Sequence, residues 1–289
     1  MSEKHIGVLI VLIAGLMWAI EPVLAKLSYV DSTFLQTLSI RAFVITLFSF
    51  IYVIIIKKKK LQVNRAQFTV LWYIALVGTL CADFLYFYAL TTIPVLNAVL
   101  LGHLQPIFII ILAFFLLKTD APNVYDYAGI AVMMISALLV TTRTIENALS
   151  LSFGSLGDVV VLLATFAWAS TAIAMSKYLR NVDAGIITFY RFFFASIVFA
   201  VIFLTDIPSI ITLYQIGVGI VVAIGTICYY EGLQRLKAAQ VSGLELSAPV
   251  FAAVIGYFVL AENVTALQLI GILLLFLGIY FLSKKELIS

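Results

Sequence analysis

Gly78-Thr79-Leu80-Cys81 recurs 147 residues later as Gly225-Thr226-Ile227-Cys228, and the match extends outward in both directions. Upstream, Trp18, Lys26, Val30-Asp31 and Arg41 return as Trp168, Lys177, Val182-Asp183 and Arg191. Downstream, Pro106-Ile107-Phe108 returns as Pro249-Val250-Phe251, now 143 residues on. One unit of about half the chain therefore occurs twice, and both copies are built of long apolar stretches. If each copy crosses a membrane an odd number of times, the two insert with opposite orientation, a plan used by many secondary transporters.

Composition requires the membrane. Of 289 residues, 64% are hydrophobic and 11% charged, against roughly 45–50% and about 25% in soluble domains. A net charge of +3 gives no ground for nucleic-acid binding. The two cysteines, Cys81 and Cys228, stand at matching apolar positions and are expected to be buried packing residues.

A helix needs about 20 mostly apolar residues to span the hydrocarbon core. That rule predicts ten transmembrane helices near 6–27, 34–56, 68–90, 95–117, 125–142, 155–178, 185–205, 212–234, 240–260 and 265–283, five in each repeat (8–142 and 155–283). The stretch from Asn147 to Gly157 is the joint between them. The first segment resembles a cleavable signal peptide, but Glu21 stands where cleavage sites prefer neutral residues, and the segment recurs inside the chain around Trp168. Placing both N- and C-termini in the cytoplasm puts thirteen Lys and Arg residues inside, among them the Lys57–Lys60 run, Lys118, Lys177, Arg235 and Lys237. Only Lys26 and Arg143 remain outside. The Lys57–Lys60 run is expected to contact anionic lipid headgroups. The predicted fold class is thus an all-α, multi-pass integral membrane protein of two inverted five-helix repeats, in a plasma membrane or a bacterial or archaeal cytoplasmic membrane.

Ala248-Pro249-Val250-Phe251-Ala252-Ala253-Val254-Ile255-Gly256-Tyr257, followed by Leu260-Ala261-Glu262, Gln268-Leu269-Ile270-Gly271 and Gly278-Ile279-Tyr280, resembles the EamA type of the drug/metabolite transporter superfamily. Gln105-Pro106-Ile107-Phe108 and Tyr127-Ala128-Gly129 give the same outline in the first half. Lys118-Thr119 departs from it, standing where the family's leucine-glycine-glutamate would fall. The resemblance implies a carrier of amino acids, other metabolites or toxic compounds. It also implies a central cavity lined by the first, third and fourth helices of each half, alternately open to either side.

An ionisable group within the bilayer costs at least ~2.5–3.5 kcal/mol and is a functional candidate by default. Glu21 lies about 15 residues from the cytoplasmic end of its helix, or ~22 Å at 1.5 Å per residue. Its counterpart in the repeat is the neutral Thr171, so packing symmetry does not require a carboxylate there. Pro22 is expected to disturb the helix. Trp18, one turn earlier on the same face, would give an ammonium group an aromatic wall beside a carboxylate. Asp83 lies at the same depth, in a stretch where the first repeat is four residues longer than the second. Two adjacent carboxylates cannot both ionise cheaply, which makes Glu21 and Asp83 the expected proton-coupling pair; the alternative is structural, with Glu21 paired to Lys26 or Arg41 and Asp83 neutralising Arg41. His103 stands in the same half of the membrane, able to relay protons or simply to pack. Tyr86, one turn from Asp83, and Trp168, the counterpart of Trp18, complete the expected substrate site: Trp18, Glu21, Asp83, Tyr86, His103 and Trp168. Arg41 and Arg191, equivalent in the two halves, are expected to be structural. Glu245, where the first half has Gly102, is a candidate inner gate. Glu231, four residues before Arg235, suits a local ion pair, and Glu262 a cap or loop contact.

Other chemistries find no support. There is no His-Glu-x-x-His, Gly-x-Ser-x-Gly or phosphate-binding loop. Asp126 and Asp158, which resemble the paired aspartates of intramembrane proteases, fall on opposite membrane sides. No cofactor or metal is expected. The expected partners are a small-molecule substrate (an amine, amino acid or drug, alternatively a neutral or anionic metabolite held by the arginines), protons and membrane lipids. The chain is expected to act as a monomer or homodimer, with the small-residue face of Ala252-x-x-x-Gly256 pairing helices or subunits.

Overall fold

The computed structural model describes residues 3–117, 124–150, 154–203, 211–236, 241 and 244–288, and among these the regular structure is helical throughout. Helix α1 (Glu3–Ser28) is followed by α2 (Phe34–Ile51), which continues into a π-helical turn over Tyr52–Ile56. Next comes a continuous rod made of α3 (Arg65–Tyr73), a ten-residue π-helical segment (Ile74–Asp83) and α4 (Phe84–Ala89). Then follow α5 (Val95–Gly102), α6 (Gln105–Leu117), α7 (Val124–Thr142) and the short α8 (Ile145–Leu149) in the joint. The second repeat holds α9 (Leu156–Tyr178), α10 (Ala184–Phe203), α11 (Leu213–Arg235), α12 (Ser247–Leu260) and α13 (Ala266–Ile288). Lys118-Thr119 and Lys237 lie outside the described residues.

Among the described residues, seven helical stretches are long and apolar enough to cross a membrane: His5–Ser28, Phe34–Ile56, Arg65–Ala89, Val95–Leu112, Leu156–Met175, Ala184–Val201 and Leu213–Arg235. Three shorter apolar helices accompany them, Tyr127–Thr142, Ser247–Leu260 and Ala266–Leu282. Leu47, Phe115, Leu163, Phe258 and Leu273 stand well exposed on the outside of the bundle. A surface this apolar is satisfied only by lipid, so the protein is an integral, multi-pass membrane protein.

Helix starts are closed by short polar motifs. Thr33 with Gln36, Asn64 with Gln67, Ser155 with Asp158, and Thr212 with Gln215 form reciprocal capping boxes. Thr265 and Gln268 make the same pair of bonds before α13. Each box satisfies two backbone N–H donors that would otherwise be orphaned near an apolar medium.

The packing interleaves the repeats. α1 packs chiefly on α11 and α12 of the other half, while α9 packs on the π segment, α4, α5 and α6. α2 meets α10, α5 meets α12, and α7 meets α13. Exchanging every element for its counterpart in the other repeat returns the same set of pairs. The two repeats are thus halves of one interlocked bundle with a shared centre.

Three details differ from expectation. Pro22 lies within α1 without ending it; its missing N–H instead leaves the Trp18 carbonyl without an i+4 donor. The expected fourth span breaks at His103-Leu104, between α5 and α6, because Pro106 withholds the donor that the Gly102 carbonyl needs. Cys81 is exposed and Cys228 half-buried, so the pair are not matched core residues. Ala252 and Gly256 are buried within the chain, which assigns that small-residue face to internal packing.

Candidate functional site

At the shared centre lies a cavity of about 220 Å³. It is lined from α1 (Trp18, Glu21), α2 (Arg41), the rod (Asp83, Tyr86, Phe87), the α5–α6 break (Ala98, Val99, Gly102, His103, Gln105, Pro106, Ile109) and α9 (Trp168, Thr171, Ala172, Met175). Arg191 and Phe192 of α10, Val222, Thr226, Tyr229 and Tyr230 of α11, Glu245 before α12, and Ile279 of α13 complete the wall. The structure places all six residues of the expected substrate site on this wall, together with Glu245, Arg41 and Arg191.

The charges are arranged in one chain. Arg41 Nη2 meets Glu21 Oε1 at 2.8 Å, and Arg41 Nη1 meets Asp83 Oδ2 at 2.7 Å. Arg191 Nη2 reaches Asp83 Oδ1 at 3.2 Å and its Nε donates to Thr79 Oγ1 at 2.9 Å. With all four groups ionised, the cluster is neutral. Arg41 stands between the two carboxylates, so the repulsion that the sequence suggested is replaced by a shared counter-ion. Phe87 and Phe192 cover the Arg41 guanidinium at 4.9 and 5.3 Å, adding cation–π attraction in a water-poor place.

The π-helical segment explains Asp83. Widening a helix to an i→i+5 pattern inserts residues without breaking the rod and exposes carbonyls. The Gly78 carbonyl accepts from both Trp168 Nε1 (3.1 Å) and Arg191 Nη2 (3.3 Å). Trp168 Nε1 also donates to Asp83 Oδ1 at 2.8 Å. The matching helix α11 is α-helical throughout, which is where the two repeats part in length.

Two aromatic pairs flank the charges. Trp18 and Tyr229 have ring centroids 5.0 Å apart, and Tyr86 and Trp168 are 5.2 Å apart. Tyr229 was not singled out from sequence, although it lies one turn beyond the repeated Thr226, on the same helix face. His103 Nδ1 lies 2.7 Å from the Val99 carbonyl, and its ring is also hydrogen-bonded to the Glu245 backbone. Glu245 itself has no ion-pair or side-chain hydrogen-bond partner among the described residues.

Beyond Ala98 the cavity is sealed by packed side chains, with Leu90, Ile93, Val95 and Leu96 all buried. Glu262 accepts from the Val95 N–H at 2.9 and 3.1 Å and pairs with Lys26 at 2.8 Å. Below it, Asn97 donates to Asp158 at 3.1 Å and accepts from Gln268 at 2.7 Å. At the opposite end, Glu231 pairs with Arg235 at 2.5 Å and Lys57 at 2.7 Å, and Lys59 pairs with Asp183 at 2.7 Å.

The EamA-like transporter family profile matches residues 5–142 and 155–284. An uncharacterized transporter of Synechocystis is 28% identical over 233 residues, 75% of this chain and 66% of its own length. One from Methanothermobacter thermautotrophicus is 23% identical over 228 residues, 76% of this chain and again 66% of its own length. This chain therefore spans just under two thirds of these two relatives. The riboflavin transporter ImpX of Fusobacterium nucleatum is 25% identical over 304 residues, covering 98% of this chain and 99% of the relative. A solved structure, described only as a crystal structure of a protein, superposes with a TM-score of 0.65 at 19% identity, over 98% of this chain and 99% of the other, a likeness of fold. With both halves of the chain matched and the repeats meeting at one shared cavity, the chain belongs to the EamA-like transporter family, a family of membrane carriers rather than enzymes.

Proposed function

We propose that the chain crosses the membrane ten times as two inverted five-helix repeats with cytoplasmic termini, and that it moves a small cationic or zwitterionic solute by proton-coupled alternating access. The observation that carries this reading is the cavity itself. It is formed by both repeats, closed at one end, and lined by balanced charges beside two aromatic pairs. The thirteen-to-two distribution of basic residues supports the orientation and makes the Glu262 end the outer one. An ammonium group gains cation–π attraction from Trp18 and Tyr229. A carboxylate on the same solute finds guanidinium groups at the other pole, where Arg41 and Arg191 line the cavity. The proton sites are drawn from the cavity carboxylates Glu21, Asp83 and Glu245. Burial of fixed charges is expensive unless they are paired, so the neutral cluster is the resting state against which substrate and proton act.

The test is transport current from purified protein in proteoliposomes, with ethylammonium, leucine, lysine, riboflavin and citrate each offered across a range of pH. Current is expected with an amine or amino acid. Glu21→Gln leaves the cluster with a net positive charge and is expected to lower that current by about tenfold or more, the scale of losing one partner of a buried ion pair. Current evoked by citrate or riboflavin alone would remove the substrate assignment while leaving the fold in place.

A further inference from the structure

The two proline-containing stretches are interrupted at equivalent places, at His103-Leu104 between α5 and α6 and at Leu246 just before α12. Pro106 withholds a donor from the Gly102 carbonyl, and Pro249 withholds one from the Glu245 carbonyl. Gly102 and Glu245 are counterparts in the repeat, and both line the cavity. Interrupted helices at matching positions in two repeats are where carriers place their binding sites, because the break frees polar backbone inside the membrane. Here the freed Glu245 backbone is held by the His103 ring across the cavity. Gly15 lets α1 approach the same break: a Cβ there would lie 2.5 Å from Ser247 Oγ. The backbone of Glu245 is thereby fixed while its carboxylate has no ion-pair or side-chain hydrogen-bond partner among the described residues.

Charge balance then singles out that carboxylate. Glu21, Arg41, Asp83 and Arg191 cancel one another when ionised, so with His103 neutral an ionised Glu245 gives the lining residues a net negative charge. The first repeat packs the same position with glycine, so the fold has no need of a carboxylate there. Tyr229 from α11 interacts with it electrostatically and His103 from the α5–α6 break holds its backbone; Trp18 and Glu21 of α1 line the same cavity, and the arginines of the cluster already have carboxylate partners. Its neighbour Leu244 packs with Val8, Val11, Leu236 and Val241, and Glu245 itself is half-buried.

We propose that Glu245 is the residue that makes this cavity select cations, and that an ammonium substrate and a proton occupy its carboxylate in turn. This rests on the transport reading above and moves the exchange step from Glu21 and Asp83 to the one cavity carboxylate without a guanidinium.

The experiment needs no known substrate. Purified protein in lipid nanodiscs is treated with dicyclohexylcarbodiimide, which modifies protonated carboxyls in apolar places, and the labelled residue is located by mass spectrometry. The probes are methylammonium through tetramethylammonium, with sodium citrate as the anionic control. Labelling is expected at Glu245, falling about tenfold at saturating ammonium and falling again as pH is raised, with citrate inert. Glu245→Gln should remove the label and the proton-linked part of any proteoliposome current, and Glu245→Asp should restore both. Labelling at Glu21 or Asp83 that ammonium suppresses would overturn the assignment to Glu245 while the transport reading stands. Labelling at Glu245 that no ammonium probe changes would overturn cation selection at this residue. Protection by citrate alone would sink the cationic reading as a whole.

Discussion

The two ends of the cavity are held by different chemistry. At the Glu262 end, three second-half residues (Glu262, Asp158 and Gln268) converge on the first turn of α5, and Asn97, Asp158 and Gln268 are all buried. Pro94 stands at the N-cap of α5 without a side chain to cap it, so Glu262 supplies from the other repeat what the local sequence lacks. A carboxylate on backbone N–H groups at a helix N-terminus is favoured twice, by the hydrogen bonds and by the helix dipole. At the Glu231 end the carboxylates are nearly buried (Glu231 10% and Asp183 8% exposed) but their lysines reach solvent, with the Lys57 and Lys59 side chains 31% and 54% exposed. Exposed pairs contribute about 0–1 kcal/mol. The contrast teaches that the repeat is symmetric in its packing and asymmetric in its locks: the state seen here is fastened at the end the proposal places outside.

The largest test of that contrast is Glu262→Gln. It removes the charge from both the α5 cap and the Lys26 pair while keeping the side-chain shape. Discounting for partial exposure, the loss is expected to be about 1–3 kcal/mol. The readout is a single cysteine at Leu96, in a background lacking Cys81 and Cys228, labelled by an impermeant maleimide from outside. Labelling should rise about tenfold in the Gln variant. An unchanged rate would show that apolar packing alone closes this end.

Asp158→Ala should act at the same end with a smaller effect on access and a larger one on stability. It strands the Asn97 amide and unmakes the capping box of α9, for about 1–3 kcal/mol of unfolding free energy. A thermal melt in detergent followed by tryptophan fluorescence should show a lower midpoint. An unaltered midpoint would mean that water replaces the carboxylate at no cost, and that the Asn97 network is incidental to the closure.

How much of this was legible beforehand follows from what kind of pattern each feature is. The repeat, the apolar spans and the intramembrane charges are properties of residue type and spacing, and they located Trp18, Glu21, Asp83, Tyr86, His103 and Trp168, which line one cavity. Arg41 was legible as a structural partner for Glu21 and for Asp83, and the structure shows both pairs at once; the link of Lys26 to Glu262 was not, because it joins residues far apart in the chain. The capping boxes were readable as Thr-x-x-Gln and Asn-x-x-Gln but were passed over beside the stronger hydropathy signal. The π-helical segment was visible only as a four-residue surplus around Asp83, since helix register is a backbone property that composition does not report. The symmetry that revealed the fold also misdirected one reading: matching Cys81 with Cys228 implied matching burial, whereas only one repeat carries the widened helix.

The smallest predicted effect sharpens the comparison furthest, because it uses the repeat as its own control. Lys26 and Lys177 are counterparts. Lys26 binds Glu262, whereas Lys177 is exposed beside the Tyr178 ring, 5.3 Å from its centroid, with no ion pair among the described residues. The acidic partner is missing from the first repeat's sequence, which reads Lys118-Thr119 where Glu262 stands in the second. Lys26→Gln should therefore loosen the Glu262 end by up to about 1 kcal/mol, raising maleimide labelling at Leu96 a few-fold. Lys177→Gln, like most exposed substitutions, should stay within about 0.5 kcal/mol of the parent, with labelling unaltered. Equal effects from the two would mean that each end has its own lock and that the asymmetry lies elsewhere. Unequal effects would show that one glutamate, present in one repeat and absent from the other, is enough to bias a near-symmetric bundle toward one of its two open states.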